Sequence, residues 1–495
     1  MAKKYLNYID GEWVPPLSGE WSENRNPANW DEVIGLFPRS DQRDVDRAVE
    51  AARRAYKKWR LVPAPERGAI IKRAGDIMAE RKEELAHDMT REMGKVLTET
   101  RGDVQEGIDT FYYAAVEGRR LFSHTAPSEM RDKMNMSFRI PIGVAGLISP
   151  WNFPMAIPCW KSLPALVCGN TVVFKPASDT PFSATHLVEI LTEAGIPPGV
   201  MNIVHGGGGK VGTAIVDHPD VDLISFTGSS LIGKGINSRA GAQLKRVSLE
   251  LGGKNAQIVM DDADLELAIE GVLWGAYGTT GQRCTATSRL ILHEAIHDQF
   301  IEMLVDAIGK LRVGDGLIET NNVGPAINEG QMESVHGYVE IGKNEGAELV
   351  VGGERMTDGD NAKGWFYAPT LFTGVTRDMR IFKEEIFGPV LSVIKVKDFN
   401  DAVETHNDCL YGLSSSIYTR DVNNSFRAIR DLEAGITYVN GPTIGAECHM
   451  PFGGVKETGN GHREGGWPVY EFYSEIKTVY VDFSGKLQRA QIDNY

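Results

Sequence analysis

GVAGLISP (143–150), TVVFK (171–175), VMNIVH (200–205), DLISFTG (222–228) and KRVSLELG (245–252) decide the fold. Each is a short apolar run, as expected of a buried strand. Helical stretches separate them. PFSATHLVEILTEAG (181–195) has Thr180 at the N-cap position, Pro181 at its first turn and Gly195 at its end. A Gly-rich turn leads into a second helix over 210–217, and SSLIGKGINSRAG (229–241) forms a third. Strands joined by single helices imply a parallel sheet with right-handed crossovers. The expectation is therefore an α/β fold with a Rossmann-like first domain.

Outward from this core, the strand–helix alternation resumes after residue 285, so a second α/β domain is expected. Upstream, 41–58 and 65–122 read as amphipathic helices. MSFRIP (136–141) and KTVYVDF (477–483) read as strands that pair with each other or with another subunit. No internal repeat or low-complexity tract occurs.

The chain's 495 residues are enough for about three domains. Its 52 Lys and Arg against 67 Asp and Glu leave a net charge of −15, which argues against nucleic acid or an anionic membrane as a partner. Residues 140–160 carry no charged side chain, but Pro141, Pro150, Pro154 and Pro158 exclude a membrane helix there. MAKKYLNYIDGEW (1–13) turns polar too early for a signal peptide. Five cysteines without paired spacing point to a reducing, cytoplasmic compartment.

HEAIH (293–297) matches the helix-borne zinc pair of peptidases. It follows the strand-like SRLILH directly, so His293 and His297 should not share a helix face, and no metal is expected. FTGSSLIG (226–233) leaves a strand and opens a helix, which places free N–H groups of Gly228 and Ser229 where a pyrophosphate would bind. Cys284, in a polar loop beside Arg283, is a candidate thiolate of depressed pKa. Glu250 ends a strand, where α/β active sites gather. Asn152, in SPWNFP (149–154), sits in a Pro-locked turn from which its amide can donate to an oxyanion.

SPWNFP, TVVFKPASDTP, FTGSSLIG, LELGGKNAQIV, GQRCTATSR, EEIFGPV and PFGGVKETG occur here in the order found in the aldehyde dehydrogenase superfamily. The chain resembles a soluble, non-acylating member over about residues 5–485. GAECHMPFGGVKETGNGHREGG (445–466) is similar to the antiquitin and semialdehyde branch.

The resemblance implies Cys284 as nucleophile, Asn152 with the Cys284 N–H as oxyanion holder, and Glu250 as the base for the deacylating water. Hydride transfer to a nicotinamide leaves a thioester, and hydrolysis gives the free acid. It further implies Lys175 and Ser178 at the adenosine ribose, and Gly208, Gly228, Ser229 and Gly233 at the pyrophosphate and its helix. Leu251, Glu385, Phe387, Ser149, Pro150 and Trp151 are implied around the nicotinamide half. Many NAD-preferring members carry Glu where this chain has Ser178, so NADP is expected to be accepted beside NAD.

Phe153, Trp160 and the loop 444–450 are expected to line the substrate tunnel. Arg283, with Glu106 nearby, would hold a distal carboxylate. The substrate is a broad aliphatic aldehyde or a carboxylated semialdehyde. A homodimer or homotetramer is implied. The expected division is a cofactor domain (1–122 and 142–252, with 454–471), a catalytic domain (253–453) and an oligomerisation segment (123–141 and 472–495). The rivals are a zinc metallopeptidase built on HEAIH and a non-catalytic scaffold of the same fold.

Overall fold

The computed structural model describes residues 2–493. The five quoted runs lie in one seven-stranded sheet, in the spatial order Arg246–Glu250, Leu223–Thr227, Val144–Ile148, Thr171–Lys175, Met201–Ile203. All four of these pairings are parallel. Two N-terminal strands that the sequence reading did not anticipate, Asn7–Ile9 and Glu12–Val14, extend the sheet antiparallel at the Met201–Ile203 edge. They are three residues each, too short for a periodic signal.

A second seven-stranded sheet follows the order Glu348–Val351, Thr370–Thr373, Val390–Val396, Thr287–His293, Asn255–Val259, Ser414–Tyr418, Ile436–Val439. It is parallel except at its first pairing. The chain passes from one sheet to the other between Glu250 and Asn255. Active-site residues therefore gather where two sets of strand ends meet.

Residues 65–122 form three helices, Ala64–Glu80, Lys82–Met93 and Leu97–Glu117, with 118–122 outside them. The second ends at Gly94, whose φ of 87° is left-handed. The expected helix over 210–217 starts as a π turn, Gly208–Gly212, before Thr213–Asp217. Thr180 precedes the helix Pro181–Glu193 but does not cap it with its side chain. The cap comes from Glu92, whose carboxylate accepts the Phe182 and Ser183 N–H groups at 2.6 and 2.8 Å. A capping group 90 residues away leaves no local sequence signal.

MSFRIP belongs to the longer strand Lys133–Pro141, which pairs antiparallel over its whole length with Ser474–Asp482 of the same chain. Its outer positions leave Met134, Phe138, Ile476 and Tyr480 exposed. No helix among the described residues is long and apolar enough to cross a membrane.

Candidate active site

Parallel strands end toward one side, and four of them deliver residues there. Glu250 is the last residue of Arg246–Glu250, Thr227 of Leu223–Thr227 and Lys175 of Thr171–Lys175, while Ser149 to Asn152 follow Val144–Ile148. Cys284 enters from the second sheet, in the loop before Thr287–His293.

The loop that carries Cys284 is held in an unusual conformation. Thr279, Thr280 and Gly281 are consecutive left-handed residues, with φ of 52°, 58° and 66°. Two β-branched residues there are strained unless the surroundings fix them. The fixing groups are specific. Glu99 Oε1 accepts the Thr279 N–H at 2.7 Å, and Thr280 Oγ1 donates to Gly324 O at 2.9 Å. Gln282 donates to Thr279 O and Pro325 O and accepts the Ile327 N–H. A Cβ on Gly281 would lie 2.1 Å from Gly388 O. Asn255 Nδ2 then holds Cys284 O at 2.8 Å, and a Cβ on Gly253 would approach that same oxygen to 2.3 Å. The glycines of GQRC and LELGGK are thus close-approach positions.

Arg283 belongs to this frame. Its Nε donates to Thr279 Oγ1 at 2.8 Å and its Nη2 to Glu99 at 3.0 Å, and it stacks near Phe153 and Trp274. With the guanidinium committed in this way, the thiol gains no depression from it. Burial, then Glu385 and Glu250, push the Cys284 thiol up to about 12, against the backbone N–H groups of Thr285 and Cys284. The expectation of a depressed pKa is therefore corrected. Burial favours the neutral thiol at rest.

Glu250 lines the same cavity as Cys284. Its carboxylate is buried, and neither oxygen has a hydrogen-bond partner. Burial, and after it the charge of Glu464, raise its pKa well above the carboxylate range, while Lys161 and Arg463 oppose the rise. Glu464 is itself buried. Its Oε1 accepts Ser225 Oγ at 3.1 Å and forms a close ion pair with Lys161 Nζ, which also reaches Ser225 Oγ at 2.9 Å. Lys161 and Glu464 escaped the sequence reading. The available signal was a lysine in the otherwise uncharged helix Ala156–Cys168.

Two cavities meet at Cys284. One, of about 230 Å³, is walled by Pro150, Trp151, Asn152, Gly228, Ser229, Leu251, Glu385 and Phe387. Nothing among the described residues consumes the Asn152 amide, whose Oδ1 is buried and unpartnered. Glu385 Oε1 accepts the Gly253 N–H at 2.9 Å, and burial raises its carboxyl to about 7. Phe387, at φ 57°, meets Trp151 edge-on at 5.3 Å, and Gln331 Nε2 fixes its carbonyl at 2.9 Å. The other cavity, of about 130 Å³, is walled by Glu106, Phe153, Trp160, Arg283, Ile444 and Phe452 beside Glu250 and Cys284. Burial and Asp103 push Glu106 up to about 8.

The remaining predicted residues lie outside these walls. Ser149 donates its N–H to Lys175 O. Gly233 packs its helix onto Leu251, where a Cβ would sit 2.3 Å from Leu251 Cδ2. Gly208 opens the π turn. Lys175 Nζ is buried and donates to Pro176 O at 2.7 Å, and desolvation lowers it to about 8. Ser178 lines a third cavity of about 400 Å³ with Gly206, Gly207 and Lys210.

HEAIH is split. His293 ends a strand and His297 begins a helix, where it pairs with Asp298. No group of three potential metal ligands occurs among the described residues.

Residues 13–479 match the Aldehyde dehydrogenase family. The chain belongs to that family. It is 43% identical to the alpha-ketoglutaric semialdehyde dehydrogenase of Bacillus subtilis, over 96% of this chain and 98% of that one. It is 44% identical to the alpha-ketoglutarate semialdehyde dehydrogenase of Haloferax volcanii, over 98% and 100%. The crystal structure of an NAD-dependent aldehyde dehydrogenase from Sinorhizobium meliloti superposes with a TM-score of 0.95 at 38% identity, covering 99% of this chain and 96% of that one. This aldehyde dehydrogenase thus has the expected fold, and the zinc peptidase reading has no support.

Proposed function

We propose that the enzyme oxidises a small carboxylated semialdehyde to the free acid through acylated Cys284. One observation carries the reading: a single sulfur is shared by two cavities and faces a buried carboxylate with no partner. Burial raises the proton affinity of Glu250, which suits it to accept the Cys284 proton as sulfur attacks the aldehyde carbon. The resulting oxyanion finds donors in the Asn152 amide and the Cys284 N–H. Such a donor is worth about 3 kcal/mol in the transition state. The bound dinucleotide supplies the two-electron oxidation that makes the adduct a thioester. Once Glu250 has passed the thiol proton on to solvent, it draws a proton from the water that cleaves the thioester, and Lys161 and Arg463 limit how far its pKa rises.

The residues around the first cavity fit a nicotinamide dinucleotide. The helix Ser230–Gly241 has no side-chain cap, so its first N–H groups are open to a pyrophosphate beside Gly228 and Ser229. Trp151 and Phe387 offer flat walls and Glu385 a carboxylate for ribose hydroxyls. Lys175 and Ser178 serve the adenosine end, where the absence of a carboxylate at 178 admits NADP as well as NAD.

For the substrate, Arg283 retains guanidinium capacity beyond its bonds to Thr279 and Glu99 and lines the second cavity beside Glu106. A distal carboxylate would complete that environment, in keeping with the named activities of the relatives. A broad aliphatic range is the second reading, favoured by Phe153, Trp160 and Phe452 in the same wall. Initial rates of cofactor reduction with a carboxylated semialdehyde and with hexanal separate the two. A kcat/KM at least about tenfold higher for the semialdehyde supports the first reading.

The division into cofactor, catalytic and oligomerisation segments given above is part of this proposal. The exposed apolar side chains of Lys133–Pro141 and Ser474–Asp482 support burial against a second copy, giving a homodimer or homotetramer. The unpaired cysteines suit a reducing cytoplasm.

A further inference from the structure

The third cavity is unusual for a protein of net charge −15. Its wall contains Arg39, Ser178 and Lys210, together with Gly206, Gly207 and Gly209, and no aspartate or glutamate. Neither Arg39 nor Lys210 has an ion-pair partner among the described residues. Asp41 is the carboxylate within electrostatic reach of Lys210, and Arg43 already holds it at 2.7 Å.

The two cations come from separate, well-anchored segments. The Arg39 backbone donates to Glu20 O at 3.0 Å and accepts from Ser18 Oγ at 2.7 Å. The Lys210 N–H donates to Gly207 O at 3.1 Å, at the start of the π turn. In the same wall Ser178 Oγ donates to Gly206 O at 3.2 Å. Added Cβ atoms on Gly207, Gly208 and Gly209 would meet nothing within 4 Å, so packing does not demand glycine there. The bare loop leaves the cavity open over Lys210.

We propose that Arg39 and Lys210 clamp the 2′-phosphate of NADP and set a preference for NADP over NAD. This rests on the reading of the Ser178 cavity as the adenosine end of the cofactor site. A pocket that selects NAD needs an acceptor for two ribose hydroxyls and a negative charge against the phosphate. This wall supplies no such negative charge. A phosphate monoester carries close to two negative charges at neutral pH. Two cations from separate chain segments would satisfy it by charge-assisted hydrogen bonds, Arg39 in bidentate fashion and Lys210 as a point charge.

The test is calorimetric titration with adenosine 2′,5′-bisphosphate and with 5′-AMP, on the full-length wild type, Arg39→Ala, Lys210→Ala, the double variant and Lys210→Arg. The wild type is expected to bind the bisphosphate at least about tenfold more tightly than 5′-AMP. That advantage should shrink in each alanine variant, vanish in the double variant and survive in Lys210→Arg. The NADP-to-NAD ratio of kcat/KM should fall in parallel. Equal affinities in the wild type, or an undiminished advantage in the double variant, would overturn the clamp and leave the dehydrogenase reading standing. Binding of neither nucleotide would overturn the adenosine assignment and the clamp together.

Discussion

The two cavities that share Cys284 are built by different means. The first is walled by strand ends and the turns that leave them, from Pro150 to Asn152, from Gly228 to Ser229 and at Leu251. The second is walled by side chains from distant parts of the chain, including Glu106, Trp160, Arg283, Ile444 and Phe452. Strand-end turns dominate the first, completed by Gln331, Glu385 and Phe387, and side chains dominate the second. A backbone-built site can take only a few sequences, whereas a side-chain-built site can change its chemistry at little expense to the fold. On this account the first wall serves the shared oxidant and the second the particular aldehyde.

The largest effect should come from the atom the cavities share. Cys284→Ala is expected to lower turnover at least about 10⁴-fold while nucleotide binding persists. Loss of both would mean that the cavities are not independent. Glu250→Gln should reduce steady-state turnover by about 10²- to 10⁴-fold.

The pH profile sharpens the role of Glu250. Its raised pKa keeps it protonated to higher pH than an ordinary carboxyl, and only the ionised form accepts a proton. The steady-state rate should therefore climb with rising pH at a point above the ordinary carboxylate range, and Lys161→Met should move that climb to higher pH, because Lys161 lowers the Glu250 pKa. A profile unmoved by Lys161→Met would detach the Lys161–Glu464 pair from the reaction.

Smaller and more selective effects separate the walls. Asn152→Ala should lower kcat by about 10²- to 10³-fold if the amide serves the oxyanion. Arg283→Ala should raise KM for a carboxylated semialdehyde more than for hexanal, with some loss of stability because the same side chain holds Thr279. Ser178→Glu should cost NADP about tenfold relative to NAD, and an unchanged ratio would contradict the adenosine assignment.

The same contrast explains what was legible in the sequence. Gly253 and Gly281 sit where backbone approaches backbone, so LELGGK and GQRC read as motifs. The parallel sheet was legible because its strands are apolar on both faces. The Glu92 cap, the Lys161–Glu464 pair and the Glu99 support of the strained loop were not, since each joins residues far apart in sequence. The thiol pKa was misjudged for a related reason. Arg283 is adjacent to Cys284 in sequence, but its guanidinium is engaged by Glu99 and Thr279, and burial decides the shift instead.

The central claim is that Cys284 is acylated from one cavity and released by Glu250. Rapid mixing of the wild type and of Glu250→Gln with cofactor and aldehyde, followed by acid quench and intact-mass analysis, addresses it directly. The account predicts an acyl mass on Cys284 of the quenched wild type, and in Glu250→Gln both slower cofactor reduction and slower loss of that mass, because Glu250 takes the thiol proton and also activates the water. An unmodified Cys284 after reduction, or acyl release that is not slowed in Glu250→Gln, would contradict it.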